Sequence, residues 1–283
     1  EALSIFLLLA IGLKGGVELS RHHLADLALP ALVIVAVALL IPLAAFPVLQ
    51  RLGRLPRADA ASIAAHYGSV SVVTFAVASS YLASRGEPAE GYMVVFLALL
   101  ELPALVMGVA LARRGAADTR WGKLFHEVLA GKSIVLLGGG LLIGWLAGPE
   151  GIQPLDRVFF DLFKGMLAFF LLEMGLVAAG RLGDLRRAGV FLAAFAVLMP
   201  LAGGLLGVLT ANLLDFSVGG AMLLATLYAS ASYIAAPAAM RIAVPEANPA
   251  LSIGASLGIT FPFNLLVGVP TYHWLASHLA GVI

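Results

Sequence analysis

Nine apolar runs, each long enough to cross a lipid bilayer, follow one another along this chain with hardly a charge inside them. They cover roughly 2–20, 27–49, 61–83, 91–112, 130–147, 158–179, 189–213, 218–240 and 250–272. A helix needs about 20 mostly apolar residues to span hydrocarbon. Within hydrocarbon only a helix or a closed barrel satisfies every backbone polar group. Barrel strands alternate polar and apolar residues, and these runs do not. The expected fold is therefore an all-α polytopic membrane protein. Composition excludes the alternatives. Apolar residues make up 61% and charged residues 12%, against about 25% charged in soluble domains. A soluble enzyme, a nucleic-acid binder and a disordered chain are all ruled out. There is no Cys, so no disulfide framework and no thiolate metal site. None of the six His stands at metal-ligand spacing with a second ligand. The net charge of +1 suggests no polyanionic partner. The expected surroundings are the lipid bilayer.

The connections carry most of the charge, and its sign alternates. The loops holding Arg51, Arg54 and Arg57, then Arg113, Arg114, Arg120 and Lys123, then Arg181, Arg186 and Arg187, are basic. The loops between them are poor in Lys and Arg: Arg85 with Glu87 and Glu90; Glu150, Asp156, Arg157, Asp161 and Lys164; Asp215 alone. Basic loops stay in the cytoplasm, which places the chain as a multi-pass protein of a bacterial inner membrane with its C-terminus outside.

An internal repeat runs through these spans. The stretch 7–19 resembles 171–182, with Gly12-Leu13 over Gly175-Leu176. YGSVS (67–71) resembles YASAS (228–232), and ELPALVMGV (101–109) matches TFPFNLLVGV (260–269), Pro103 over Pro262. The matches occur in the same order at offsets near 160. They pair spans one to four with spans six to nine, an odd shift, so the copies have opposite orientation. Such inverted repeats mark secondary transporters. The fifth span has no partner, so a further apolar segment is expected before Glu1, giving a five-plus-five repeat of ten spans. The expected organisation is a first repeat over 1–113 (spans 2–5 of ten), a cytoplasmic linker over 114–129 and a second repeat over 130–283 (spans 6–10 of ten).

Small and hydroxyl residues interrupt two spans at matching points, the best sequence pointer to a transport site. Gly68, Ser69, Val70, Ser71 and Thr74 form one patch, with Gly68 permitting unusual backbone angles. Ser230, Ala231, Ser232 and Tyr233 form the other, followed by Pro237, which lacks a backbone donor. N–H groups at the start of a half-helix favour an anion, and the hydroxyls add donors. Neither patch holds Lys or Arg, so a co-transported sodium is expected to balance the charge. Glu101 lies mid-span before Pro103, and a carboxylate in a bilayer is costly unless it functions. It is read as the charged ligand of sodium or as the support behind its ligands, with Thr260 and Asn264 as neutral oxygen donors. Beyond a transported Na+, no metal and no cofactor are expected. His66 is read as a packed, hydrogen-bonded side chain. Glu173, inside the sixth span, is the alternative acid.

The segments GLKGG (12–16), GSVSVVTF (68–75), ELPALV (101–106), MGLVAAGRLGDL (174–185) and PAAMRIAVPEANP (237–249) together resemble the SbtA-type sodium-dependent bicarbonate transporters and their bacterial relatives. The last is the most specific, keeping Pro237, Arg241, Pro245 and Asn248-Pro249 in register. The resemblance implies a core domain with two broken, crossing helices, a gate domain, a homotrimer and a cytoplasmic PII-like regulator. The chain departs from the pattern where Tyr233 and Glu101 each stand in place of Asp, where Val177 replaces an acid, and in the short linker. The expected function is sodium-coupled symport of a small anion, bicarbonate first. A proton- or sodium-coupled carrier of another small carboxylate, and a passive channel, stand as alternatives. An intramembrane enzyme would need paired carboxylates, a metal set or a Ser–His dyad, and none is seen.

Overall fold

In a computed structural model the protein is described over residues 2–113, 129–180 and 182–279, with Gly122 and His126 between them; side chains of 182–188 are not described. The linker 114–129 thus lies almost wholly outside the described residues. So do Arg181 and the side chains of Arg186 and Arg187.

Among the described residues eight helices are long and apolar enough to cross a membrane, and a ninth apolar helix is shorter. In chain order they are α1 (Ala2–Leu19), α2 (Leu24–Leu52), a span broken into α3 (Arg57–Gly68) and α4 (Val72–Arg85), and α5 (Met93–Ala112). Then come α6 (Lys132–Ile152), α7 (Phe163–Gly180) and α8 (Gly189–Leu213). A second broken pair follows, α9 (Val218–Ala229) and α10 (Ala235–Ala243), and last α11 (Pro249–Leu279). The run 218–240, expected as one span, is two short helices because its chain leaves helical geometry at Ser230.

Burial separates two kinds of helix. Nearly every side chain from Ala60 on α3 to Ala78 on α4, and along α9, is buried. In contrast α2, α6 and α7 turn large apolar side chains outward, among them Leu29, Leu32, Leu146, Phe169, Leu172 and Leu176. Apolar surface on that scale belongs against lipid or another protein, not water.

Contacts gather the loops at two opposite ends. At one, Arg57 Nε donates to the Leu111 carbonyl (2.9 Å), Arg113 Nε to that of Ala243 (2.8 Å), and the Asn248 N–H to Asp59 Oδ1 (2.6 Å). At the other, the Ser217 N–H donates to Glu90 Oε1 (2.7 Å), His273 Nε2 meets Glu87 Oε2 (2.7 Å), and Gly91 packs on Glu18. The first end holds the basic loops of Arg57 and Arg113, and the second the loops of Glu87, Glu90 and Ser217, poor in Lys and Arg. The span α3–α4 leaves the first end and reaches the second, and α9–α10 runs the opposite way.

The fifth span, α6, packs along α1. Gly12 and Gly16 face Gly140 and Gly144, so the two backbones touch. A Cβ on Gly12 would lie 3.1 Å from the Gly140 Cα, and one on Gly140 3.1 Å from the Leu13 nitrogen. Small residues four apart on both helices let such helices approach closely in a bilayer. The motif equated with Gly12 behaves differently. Leu13 is 2% exposed, but Leu176 is 69% exposed, and nothing lies within reach of a Cβ on Gly175. Sequence likeness there does not extend to likeness of packing, because α7 turns that face away from every described element.

Candidate functional site

The first break follows from its residues. α3 ends at Gly68, Ser69 is extended (φ −90°, ψ 169°), and so is Ser71 (φ −115°, ψ 110°). Ser71 then caps α4, its Oγ accepting the N–H of Thr74 (3.2 Å) and the Thr74 hydroxyl (2.9 Å). Gly68 earns its place by packing and not, as its sequence suggested, by unusual backbone angles. Its φ is not positive, but a Cβ there would lie 2.8 Å from both the Pro42 ring and Ala104. In the second break Ser230 is extended (φ −83°, ψ 165°), and Ser232 Oγ accepts the N–H of Ala236 (3.2 Å). Pro237 falls in the first turn of α10, where a missing N–H costs nothing.

The two breaks meet. The Ser71 N–H donates to Ser230 Oγ (2.9 Å), and the Ser232 N–H donates to the His66 carbonyl (2.8 Å). Val70 and Ala231 are buried in the extended segments between these contacts. Two helix N-termini, α4 and α10, and two C-termini, α3 and α9, therefore converge inside the protein. The N–H groups of Val72, Val73 and Ile234 find no acceptor among the described residues. Such a convergence suits an anion at the N-termini and a cation at the carbonyl ends.

The three residues read as sodium ligands reach this crossing at three separate points, and no hydrogen bond joins them. Glu101 sits where Pro103 interrupts the ladder of α5. Its carbonyl accepts the Ser69 hydroxyl (3.3 Å), and its side chain is buried, 2% exposed. Thr260 donates to the Ala196 carbonyl (2.7 Å) and accepts the Tyr67 hydroxyl (2.7 Å). Asn264 donates from Nδ2 to the Ala229 carbonyl (2.9 Å) at the end of α9, and its Oδ1 accepts the Tyr272 hydroxyl (2.7 Å). Thr260 and Asn264 thus spend their polar atoms on helix contacts in this conformation, whereas Glu101 does not.

Three buried side-chain polar atoms lack any hydrogen-bond partner among the described residues: Glu101 Oε2, His66 Nε2 and Tyr233 Oη. All three belong to residues in the crossing or bonded to it. His66 is packed, as expected, and hydrogen-bonded through Nδ1 to the Ser62 carbonyl (2.7 Å), yet its other nitrogen is open. Tyr233 packs its ring on Phe261, centroids 5.1 Å apart. Its hydroxyl has no hydrogen-bond partner among the described residues. Tyr67 was not singled out by sequence, although the paired tyrosines before the two breaks were a signal for it. The hydroxyl of Tyr67 ties α3 through Thr260 to Ala196 on α8, and that of Tyr228 ties α9 directly to the Ile34 carbonyl on α2 (2.6 Å). No three His, Cys, Asp or Glu side chains gather as a metal cluster among the described residues.

A family model described as the Na+-dependent bicarbonate transporter superfamily matches residues 1–277, nearly the whole chain. The chain belongs to that superfamily. It is a family of transporters and not of enzymes, and its apolar helices make this member a multi-pass membrane protein. A search of curated proteins finds no match. In this member of the Na+-dependent bicarbonate transporter superfamily, Glu101, whose Oε2 is unpartnered, is hydrogen-bonded through its carbonyl to Ser69 of the buried crossing.

Proposed function

We propose that this protein is a secondary active transporter that couples sodium to the symport of a small anion, bicarbonate first. The observation that carries the reading is the set of three unpartnered buried atoms around two oppositely directed, broken helices. A buried polar group left unpaired costs about 1–3 kcal/mol, and more when charged. A ligand and an ion bound at the crossing would complete these groups. The anion would rest on the N–H groups of Val72, Val73 and Ile234 and on the hydroxyls of Ser69, Ser71, Ser230 and Ser232. Sodium would supply the positive charge that neither patch contains, with Glu101 as its anionic support and carbonyl and hydroxyl oxygens, including those of Thr260 and Asn264 after rearrangement, as neutral donors. Each would then bind better with the other present.

Paired contacts support the inverted repeat over 1–113 and 130–283. Gly68 packs on Pro42, and Gly203 packs on the Tyr228–Ala229 backbone, at positions about 160 apart in both helices. The decisive experiment is uptake of labelled bicarbonate into proteoliposomes. Uphill uptake driven by an inward sodium gradient is expected. Its absence, or flux that no gradient drives uphill, would sink the reading, the latter in favour of a channel. The open nitrogen of His66 favours a second reading, proton-coupled carriage of another small carboxylate. Uptake driven by a pH gradient without sodium would establish it.

Ser71→Val removes both the cap of α4 and a hydroxyl of the site. Loss of a cap costs about 1 kcal/mol, so the protein should still fold. The expected result is an anion KM raised about ten-fold or more, read in the same proteoliposomes; an unchanged KM would remove Ser71 from the site.

The proposed orientation puts the basic ends in the cytoplasm of a bacterial cell. Since the chain has no Cys, single cysteines report sidedness cleanly. Ser277→Cys is expected to react with an impermeant thiol reagent added to intact cells, and Ala250→Cys only after lysis. The reverse pattern would invert the topology. On the same reading the transporter assembles as a homotrimer, and a PII-like regulator would meet the cytoplasmic linker 114–129.

A further inference from the structure

Between α1, α4, α5 and α7 lies a cavity of about 410 Å³. It sits at the end where Glu18, Glu87 and Glu90 gather. Two of its wall residues, Ile11 and Ala76, also wall a narrow crevice that reaches Val72, Val73 and Ile234. The cavity therefore stands above the open N-termini of α4 and α10.

Five charged side chains line it: Lys14, Glu18, Glu87, Glu90 and Lys164. By count three carboxylates face two ammonium groups, so what sets the lysines apart is not net charge but that each acid has a donor of its own. Glu18 pairs with Arg21 (3.2 Å), and Glu87 meets His273 (2.7 Å). Glu90 accepts both the N–H (2.7 Å) and the hydroxyl (3.1 Å) of Ser217, at the positive N-terminal end of α9. Each carboxylate is thus turned to a donor outside the cavity lining. Lys14 and Lys164 are exposed, and among the described residues neither makes a hydrogen bond or ion pair. Lys14 is also the only Lys or Arg in α1, an apolar helix where a cation is costly.

We propose that Lys14 and Lys164 form an anion-capture site in this vestibule, concentrating a small carboxylate-like anion above the crevice that leads to the crossing. Delivery to the crossing rests on the transport reading; capture does not.

The test separates the two. Ser80, on the vestibule wall, is changed to Cys in the full chain, with Ser277→Cys, exposed at the same end, as the reference. Each is reacted with an anionic sulfonatoethyl and a cationic trimethylammonioethyl methanethiosulfonate. At low salt K14Q/K164Q, which removes two unit charges within about one Debye length, should lower the anionic-to-cationic rate ratio at Ser80→Cys, taken relative to the reference, about five-fold. The drop should shrink with added salt and be absent in K14R/K164R. A ratio untouched by K14Q/K164Q overturns the capture site. In proteoliposomes the same pair of substitutions, in the chain without added cysteines, should raise the bicarbonate KM several-fold at unchanged maximal rate. A shifted ratio with an unchanged KM overturns delivery. A wild type without sodium-driven uptake overturns the transport reading and leaves the ratio to decide capture.

Discussion

Glu101→Gln is expected to lower sodium-driven uptake by about 10–100-fold while leaving the fold intact. The figure follows from the roughly 1.5–3 kcal/mol carried by a hydrogen bond or contact to a charged group, with 1.36 kcal/mol to each tenfold. The physical reason is the burial of this side chain with Oε2 unpartnered. A charge in that position is stabilised by a cation, and the neutral amide needs none. Two thermal measurements distinguish function from scaffolding. In the wild type, sodium in place of a large organic cation should raise the melting temperature, because a ligand that binds only the native state stabilises it. In Glu101→Gln that sodium effect should disappear, while the melting temperature without sodium stays level or rises. Glu101→Asp, which keeps the charge on a shorter arm, should fall between the two. If Glu101→Gln melts far lower in both salts, Glu101 is a structural residue, and attention passes to Glu173, half-buried on α7.

Gly16→Leu is expected to be among the most destabilising single changes in the protein. A Cβ at Gly16 would meet the Leu141 carbonyl and lie 2.7 Å from the Trp145 nitrogen and 2.9 Å from the Gly144 Cα. These neighbours are backbone and cannot swing aside as a side chain does. Overpacking costs about 1–3 kcal/mol where side chains can give, and here the α1–α6 pair must separate. The purified protein should melt well below the wild type or fail to accumulate. Gly139→Ala on α6 is the control. A Cβ there meets nothing within 4 Å, and Ala is the better helix former by about 1 kcal/mol. Its melting point should hold or rise. Equal behaviour of the two variants would mean that α1 and α6 are not in backbone contact.

The positions of the spans, the two breaks and the buried acid were all legible in the sequence. Each depends on residues close in the chain: about 20 apolar residues make a span, Ser71 and Ser230 end helices locally, and a lone Glu in an apolar run stands out by itself. The boundaries of the spans at 93–112 and 189–213 fall within a few residues of the apolar runs read for them. The same local logic misled where a residue's role depends on what lies across from it. Gly68 was read for its backbone freedom, yet Pro42 and Ala104 are what demand a glycine. That the Thr260 hydroxyl is engaged by Ala196 and Tyr67, and the Asn264 Oδ1 by Tyr272, was likewise not legible locally.

Sequence by itself therefore determined that this chain is a helical membrane protein with two interrupted spans and an acid between them. Only the tertiary structure decided that the interruptions touch, that α6 seats on α1, and which polar atoms remain open. The vestibule shows why. Lys14 and Lys164 are outnumbered by acids in the sequence of its walls, but Glu87 is bonded to His273 and Glu90 to Ser217, far along the chain. Helix formation is settled by neighbours a turn away. Whether a charged group has a hydrogen-bond partner is settled by residues more than a hundred positions distant, which only packing brings within 3 Å.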